Sequence, residues 1–259
     1  MFGHRGAGGE APENTLVSFE RALAQGAAIL ETDVHVTRDG EVVIAHDADV
    51  SRTTNGSGRI AELGFKALAA LDAGHRFSPD GGASHPFRGR GIRIPTLREV
   101  FRRLPEARFN IELKSGDPRL VAAVVALVAE HERADRTLLA AAEAETLAAV
   151  RAELERRGVR TALGASVADV LGFVRAALGQ AEAPREPMAL QIPPSFAGEP
   201  LVTPALVAFA HSRDVQVHVW TINEESEMKR LLALGVDGVM SDFPGRLRAV
   251  VDAERGARG

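Results

Sequence analysis

Short apolar runs alternate with stretches of helical spacing along this 259-residue chain, and that alternation limits the fold more than any single residue does. Runs near Phe2, Ile29 to Val36, Arg108 to Leu113, Thr137 to Ala141, Arg160 to Gly164, Pro187 to Gln191, Gln216 to Trp220 and Asp237 to Met240 read as strands. Helix starts are marked between them by Asn14 and Thr15 ahead of Leu16, Asp117 before Pro118, Ser166 before Val167, Thr203 before Pro204 and Asn223 before Glu224. Eight strands, each followed by a helix in this length, predict an α/β fold, a TIM (β/α)8 barrel forming one domain over residues 1–259. An open doubly wound sheet is the competing architecture. It would carry a glycine-rich phosphate fingerprint after the first strand, which Gly6-Ala7-Gly8-Gly9 matches only loosely.

The rhythm is interrupted once. Glu41 to Ala45 returns from strand two as a short strand ending at His46-Asp47, and the text from about 48 to 93 is rich in glycine, proline and polar residues. An insertion of this length is expected to be a lid or binding loop, with one short helix near Leu63 to Leu71 and Arg88, Arg90 and Arg93 in solvent. The tail from Glu254 to Gly259 is expected to fray.

Composition narrows the function. A net charge of −4 gives no electrostatic reason for nucleic acid or an anionic membrane as partner, and zero cysteines exclude disulfides and thiolate metal sites. No apolar run approaches the roughly 18 residues of a membrane span, and charged His4-Arg5 follows the first residues where a signal peptide would be apolar. A soluble cytoplasmic protein, monomer or homodimer, is expected.

The barrel reading requires functional groups at the C-terminal ends of strands. His4 and Arg5 end strand one, Glu31 and Asp33 lie late in strand two, Glu112 and Lys114 end strand three, Trp220 ends strand seven and Ser241-Asp242 ends strand eight. Glu31 and Asp33, two residues apart, point to one face, where two unpaired buried charges are costly unless a cation lies between them. With Glu112 they offer an all-oxygen set suited to Mg²⁺ or Ca²⁺. Lys114 and Arg5 can complete an anion site; the structural alternative is a salt-bridge network closing the barrel top. His4 and His46 are the proton-transfer candidates. His35 and His218 are assigned to supporting or lining positions, and His75, His85, His131 and His211 to structural ones. Trp220 is expected as a substrate-facing wall, with Gln191 a weaker candidate of the same kind.

His4-Arg5-Gly6, Pro12-Glu13-Asn14-Thr15, Glu31-Thr32-Asp33-Val34, His46-Asp47, Arg52-Thr53-Thr54-Asn55-Gly56, Ile94-Pro95-Thr96-Leu97, Glu112-Leu113-Lys114 and Asp242-Phe243-Pro244, in this order, closely resemble the glycerophosphodiester phosphodiesterases. The resemblance implies a TIM barrel with an insertion after strand two and a divalent metal held by Glu31, Asp33 and Glu112. It further implies His4 and His46 as general base and acid, and Arg5 and Lys114 on phosphate. The small-molecule substrate would be a glycerophosphodiester, yielding sn-glycerol 3-phosphate and an alcohol. Only three residues precede His4, where the family usually shows a fuller apolar strand, so a short first strand or a late start is expected. Two other functions compete: a lysophospholipase D acting on larger lipids, which needs an apolar groove at the mouth, and a non-catalytic phosphate-binding barrel.

Overall fold

The computed structural model describes residues 1–185 and 187–256. Eight parallel strands close on themselves: β1 (Phe2–Gly3), β2 (Ile29–Val36), β4 (Arg108–Leu113), β5 (Thr137–Ala140), β6 (Ala162–Leu163), β7 (Ala189–Ile192), β10 (Gln216–Val219) and β11 (Gly238–Ser241). The short β3 (Val42–Ile44) lies antiparallel on β2, and β8 (Ser195–Phe196) with β9 (Glu199–Pro200) forms a hairpin above β7. Pairing runs β6-β5-β4-β2-β1-β11-β10-β7. The ring closes through one parallel bridge between Gly164 and Ala189. A Cβ at Gly164 would lie 2.8 Å from Gln191 Oε1 and 3.2 Å from Ala140 Cβ, so a side chain at the seam would displace Gln191 and crowd Ala140.

Period-2 alternation sorts each strand into two environments. On β2, Leu30 and Val34 are fully buried against Leu97, Phe101, Leu120 and Val124 of the surrounding helices, while Glu31 and Asp33 turn into the barrel. A second core joins β7, β10 and β11 to the C-terminal helices through Leu190, Val217, Val219, Val239, Leu206 and Leu231. Fully burying each such aliphatic side chain contributes roughly 1.5–3 kcal/mol. The insertion has a small core of its own, Val50, Ile60, Leu68 and Ala73 packed on Val43 and Ile94. Its one α-helix, α2 (Phe65–Leu68), falls inside the expected span, flanked by 3₁₀ turns at Val50–Arg52 and Ile60–Glu62.

Most helix starts are where the sequence marks them. Thr15 caps α1 (Leu16–Ala24), Thr96 and Glu99 form a capping box on α3 (Leu97–Arg103), and Asp117 caps α4 (Pro118–Glu130). The unmarked α5 (Ala144–Arg157) stops at Gly158 with φ 67°. Ser166 caps α6 (Val167–Ala177) and Thr203 caps α7 (Pro204–His211). Two expected caps are not caps. Asn14 has left-handed φ 58° and bonds side chains of β2, and Asn223 lies ahead of α8 (Glu225–Ala233), whose cap position is Glu224. The last helix, α9 (Pro244–Gly256), is anchored by buried Leu247 and Val250. Glu254 to Gly256 are therefore helical where fraying was expected, and 257–259 lie outside the described residues.

His218 belongs to the barrel floor, away from the mouth where a lining role placed it. It is 3% exposed, its ring lies 4.7 Å from Phe2, and Nε2 donates to Gln216 Oε1 at 2.9 Å. Burial pushes its pKa down to about 4. The unfolded chain takes up this proton near pH 6.5 and the folded chain does not, so stability is lost as pH falls from about 6.5 to 4, by ~3 kcal/mol. In urea unfolding at pH 7 and pH 4, His218→Gln should lose that much less than the parent protein. Equal losses would refute the assignment.

Candidate active site

The loop leaving β1 builds the first wall. Arg5 (φ 51°) and Gly6 (φ 84°) both turn left-handed, and a side chain on Gly6 would run into Ser18 of α1, 2.5 Å from its Oγ. Ser18 Oγ donates to Arg5 O at 2.9 Å and accepts from Ala7 N at 2.8 Å, which fixes the turn. Arg5 N, turned inward, donates to Glu31 Oε2 at 2.9 Å.

His4 is oriented from the opposite end of the sequence. Because β1 pairs with β11, its Nδ1 reaches Asp242 Oδ1 at 2.7 Å across 238 residues. Asn223 holds that carboxylate, donating Nδ2 to Asp242 Oδ2 at 2.7 Å while its Oδ1 accepts from Asp242 N and Ser241 Oγ. With a carboxylate on Nδ1, the proton resides there and Nε2 presents a lone pair. Nε2 lies 3.9 Å from Glu31 Oε2 and 3.4 Å from Thr221 Oγ1. Burial lowers the His4 pKa, but the Asp242 hydrogen bond and the Glu31 and Asp242 charges outweigh it, so the net shift is upward.

His46 is arranged in the same way on the other side, beyond β3. Its Nδ1 meets Asp47 Oδ1 at 2.7 Å, leaving Nε2 free, and His35 Nε2 bonds its carbonyl at 3.1 Å. His35 thus supports the His46 backbone. The side chain of His46 is 34% exposed, so its working edge is open to a ligand.

Beside His4 lie Glu31, Asp33 and Glu112. One carboxylate oxygen from each falls within 4.8 Å of the others. Register explains this: Asp33 pairs with Glu112 on adjacent parallel strands, and Glu31 is one pleat deeper. Burial and the Asp33 charge push the Glu31 pKa up, so its carboxylate is short of positive partners. Lys114 Nζ lies 3.0 Å from both Asp33 Oδ1 and Glu112 Oε2, and these charges raise its pKa against the opposing effect of burial. Asn14 Nδ2 donates to Asp33 Oδ2 at 2.9 Å. Six acids here (Glu13, Glu31, Asp33, Asp47, Glu112, Asp242) stand against three bases (Arg5, Arg52, Lys114). That excess, with hard oxygen donors, fits Mg²⁺ or Ca²⁺.

Arg5 faces the same cluster. Its Nη1 donates to Glu13 Oε1 at 2.9 Å and its Nε lies 3.7 Å from Asp33 Oδ2 without a hydrogen bond. Trp220, 41% exposed, stands at the mouth beside the β7–β10 edge. Gln191 lies lower, against Gly164. Of the nominated residues, His218 lies on the floor and Gln191 lower against Gly164, while the charged residues and Trp220 lie toward the mouth; the salt-bridge network that competed with an anion site uses the same side chains.

The sequence model of the glycerophosphoryl diester phosphodiesterase family matches residues 4–246. The chain belongs to that family. A glycerophosphodiester phosphodiesterase from Caldanaerobacter subterraneus is 30% identical over 95% of both chains. A lysophospholipase D from Mus musculus is 31% identical over 95% of this chain and 83% of its own length. Among solved structures, the glycerophosphoryl diester phosphodiesterase domain from Mycobacterium tuberculosis superposes with a TM-score of 0.83 at 22% identity, covering 96% of this chain and 97% of its own, which establishes the fold. An Oleispira antarctica phosphodiesterase, bound to sn-glycerol-3-phosphate, gives 0.78 at 28% identity over 97% and 96%.

As a family member the chain is a phosphoric diester hydrolase. Several of the phosphodiesterase's side chains received no chemical role from sequence: Glu13, Asp47 and Arg52 are unassigned there, Asn14 and Asn223 read only as caps, and Asp242 only as a strand end. The available signal was adjacency, since Asp47 follows His46 and Glu13-Asn14 falls within a motif stretch. Among the described residues, no helix is long and apolar enough to cross a membrane.

Proposed function

We propose that the enzyme hydrolyses glycerophosphodiesters to sn-glycerol 3-phosphate and an alcohol, with His4 as general base and His46 as general acid. The observation that carries this reading is the matched pair of histidines, each with Nδ1 on its own carboxylate, His4 with Nε2 3.9 Å from Glu31 of a carboxylate triad. Glu31, Asp33 and Glu112 would hold Mg²⁺ or Ca²⁺, which supplies Lewis-acid polarisation of phosphoryl oxygens. Arg5 and Lys114 neutralise phosphate charge through charge-assisted hydrogen bonds. His4 Nε2 accepts the proton of the attacking oxygen, water or the substrate's own glycerol hydroxyl, and His46, as an imidazolium with Nδ1–H on Asp47, gives its Nε2 proton to the leaving alkoxide and is left neutral. Trp220 forms a wall for the substrate. We place the enzyme in the cytoplasm, as a monomer or homodimer acting on a small molecule.

A second reading has an observation in its favour. Phe196 on the β8–β9 hairpin that follows β7 is 66% exposed, and Trp220 after β10, the strand paired with β7, is 41% exposed; these open apolar side chains suit the acyl chain of a lysophospholipid. One assay separates the readings: glycerophosphocholine and lysophosphatidylcholine are offered separately, with detection of glycerol 3-phosphate, lysophosphatidate and choline. Turnover of glycerophosphocholine is expected to be at least about tenfold faster. The reverse order would favour a lysophospholipase D, and no turnover of either would leave a phosphate-binding barrel.

A further inference from the structure

Arg52 ends the first turn of the insertion and links Asp47, the acid on His46, to Glu13, the acid on Arg5. Its Nη1 and Nη2 donate to Glu13 Oε2 and Oε1 at 2.7 Å each, a two-toothed fork, while Nε donates to Asp47 Oδ2. Glu13 Oε1 also accepts from Arg5, and the other oxygen of Asp47 accepts from His46 Nδ1. An unbroken chain therefore runs Arg5, Glu13, Arg52, Asp47, His46. It joins the residue proposed to hold phosphate to the residue proposed to protonate the leaving group.

The chain has a chemical consequence. Asp47 is about one-third exposed, and without Arg52 its carboxylate can rotate to water instead of facing His46. Burial opposes ionisation of Asp47, but hydrogen bonds from Arg52 and His46 outweigh it and hold the carboxyl at about 2. Glu13 is likewise held low, with Arg52 and Arg5 outweighing its burial. Both acids thus stay ionised and both keep the fork engaged. An ionised, fixed Asp47 stabilises the imidazolium, the form that carries a proton on Nε2 as well as Nδ1, and aims the Nε2 edge of the ring.

We propose that Arg52, held by Glu13, is a positioning residue for the reaction: it pins Asp47 against His46 Nδ1 and so aims Nε2 at the leaving alkoxide. The inference rests on the acid role given to His46. Its signature is dependence on the leaving group, which a purely structural clamp of the insertion would not produce. An alkoxide leaves poorly without a proton, whereas p-nitrophenolate is a stable anion and needs none.

The test compares the parent enzyme with Arg52→Gln, Asp47→Asn and His46→Ala on glycerophosphocholine and on the p-nitrophenyl ester of glycerol 3-phosphate. Arg52→Gln should lower kcat on glycerophosphocholine about 10- to 100-fold with KM within about threefold, part of the full acid effect. It should change kcat on the nitrophenyl ester by less than about threefold, with Asp47→Asn and His46→Ala showing the same split more strongly. Equal losses on both substrates, or no loss on the first, would overturn the role of Arg52. Should Arg52→Gln unfold at assay temperature, Arg52→Lys keeps the charge but not the fork, and the same split is expected of it. A parent enzyme inactive on both substrates would overturn the phosphodiesterase reading instead. A His46→Ala variant without the split would overturn the acid assignment and the inference together.

Discussion

His46→Ala is expected to lower turnover of glycerophosphocholine about 10²- to 10⁴-fold, the usual worth of a positioned general acid, while the protein keeps its fold and its cation. His46 is half-buried, its side chain meets Asp47 at 2.7 Å, and it makes no ion pair with Glu31, Asp33 or Glu112. Truncation removes a proton donor and leaves no charge stranded in the interior, since Asp47 retains Arg52. The loss should therefore appear in kcat, with KM changed by less than about threefold. A cation titration followed by thermal unfolding should give the same midpoint shift as the parent protein. A fall of less than about fivefold in kcat would remove His46 from the chemistry.

Asp33→Asn should cost at least as much, by a different route. Asp33 is 1% exposed and central to the cluster: it faces Lys114 at 3.0 Å, accepts from Asn14 at 2.9 Å and pairs in register with Glu112. Asparagine conserves the volume and one acceptor but removes a charge, leaving Glu31 and Glu112 to hold a divalent cation. A chelator should abolish turnover by the parent enzyme and Mg²⁺ or Ca²⁺ should restore it. Metal-derived charge stabilisation of several kcal/mol corresponds to about 10²- to 10⁴-fold in rate. The equilibrium readout is independent of activity. A cation at about 100 times its Kd stabilises the parent fold by ~2.7 kcal/mol, a rise of roughly 5–10 °C in Tm for a chain of this size. Asp33→Asn should show little of that rise. An unchanged cation response in the variant would separate Asp33 from the metal.

Both predictions depend on groups that were readable before any tertiary contact was known. A strand of period 2 places Glu31 and Asp33 on one face whatever surrounds them, and the repeated strand-helix rhythm places their ends at a barrel mouth. Caps show where local rules stop. Asn14 and Asn223 have the side chains of helix caps, yet each is drawn to a carboxylate, Asp33 and Asp242, because a hydrogen bond to an ionised acceptor is stronger than one to a backbone N–H. His218 shares a face with Trp220, but its depth along the strand puts it on the floor beside Phe2, and periodicity carries no depth.

By itself the sequence determined the eight βα units, the break after strand two and the shared face of Glu31 and Asp33, which follow from short-range spacing, and it nominated Glu112 and the two histidines from their strand ends and motif resemblance. Only the tertiary structure decided which acid serves His4 and which base clamps Glu13. Asp242 meets His4 because barrel closure joins the first strand to the last, and Arg52 meets Glu13 because the insertion folds back on its own small core. Those partners are 238 and 39 residues apart. Their pairing is fixed by where two backbones pass in space, which no local periodicity records.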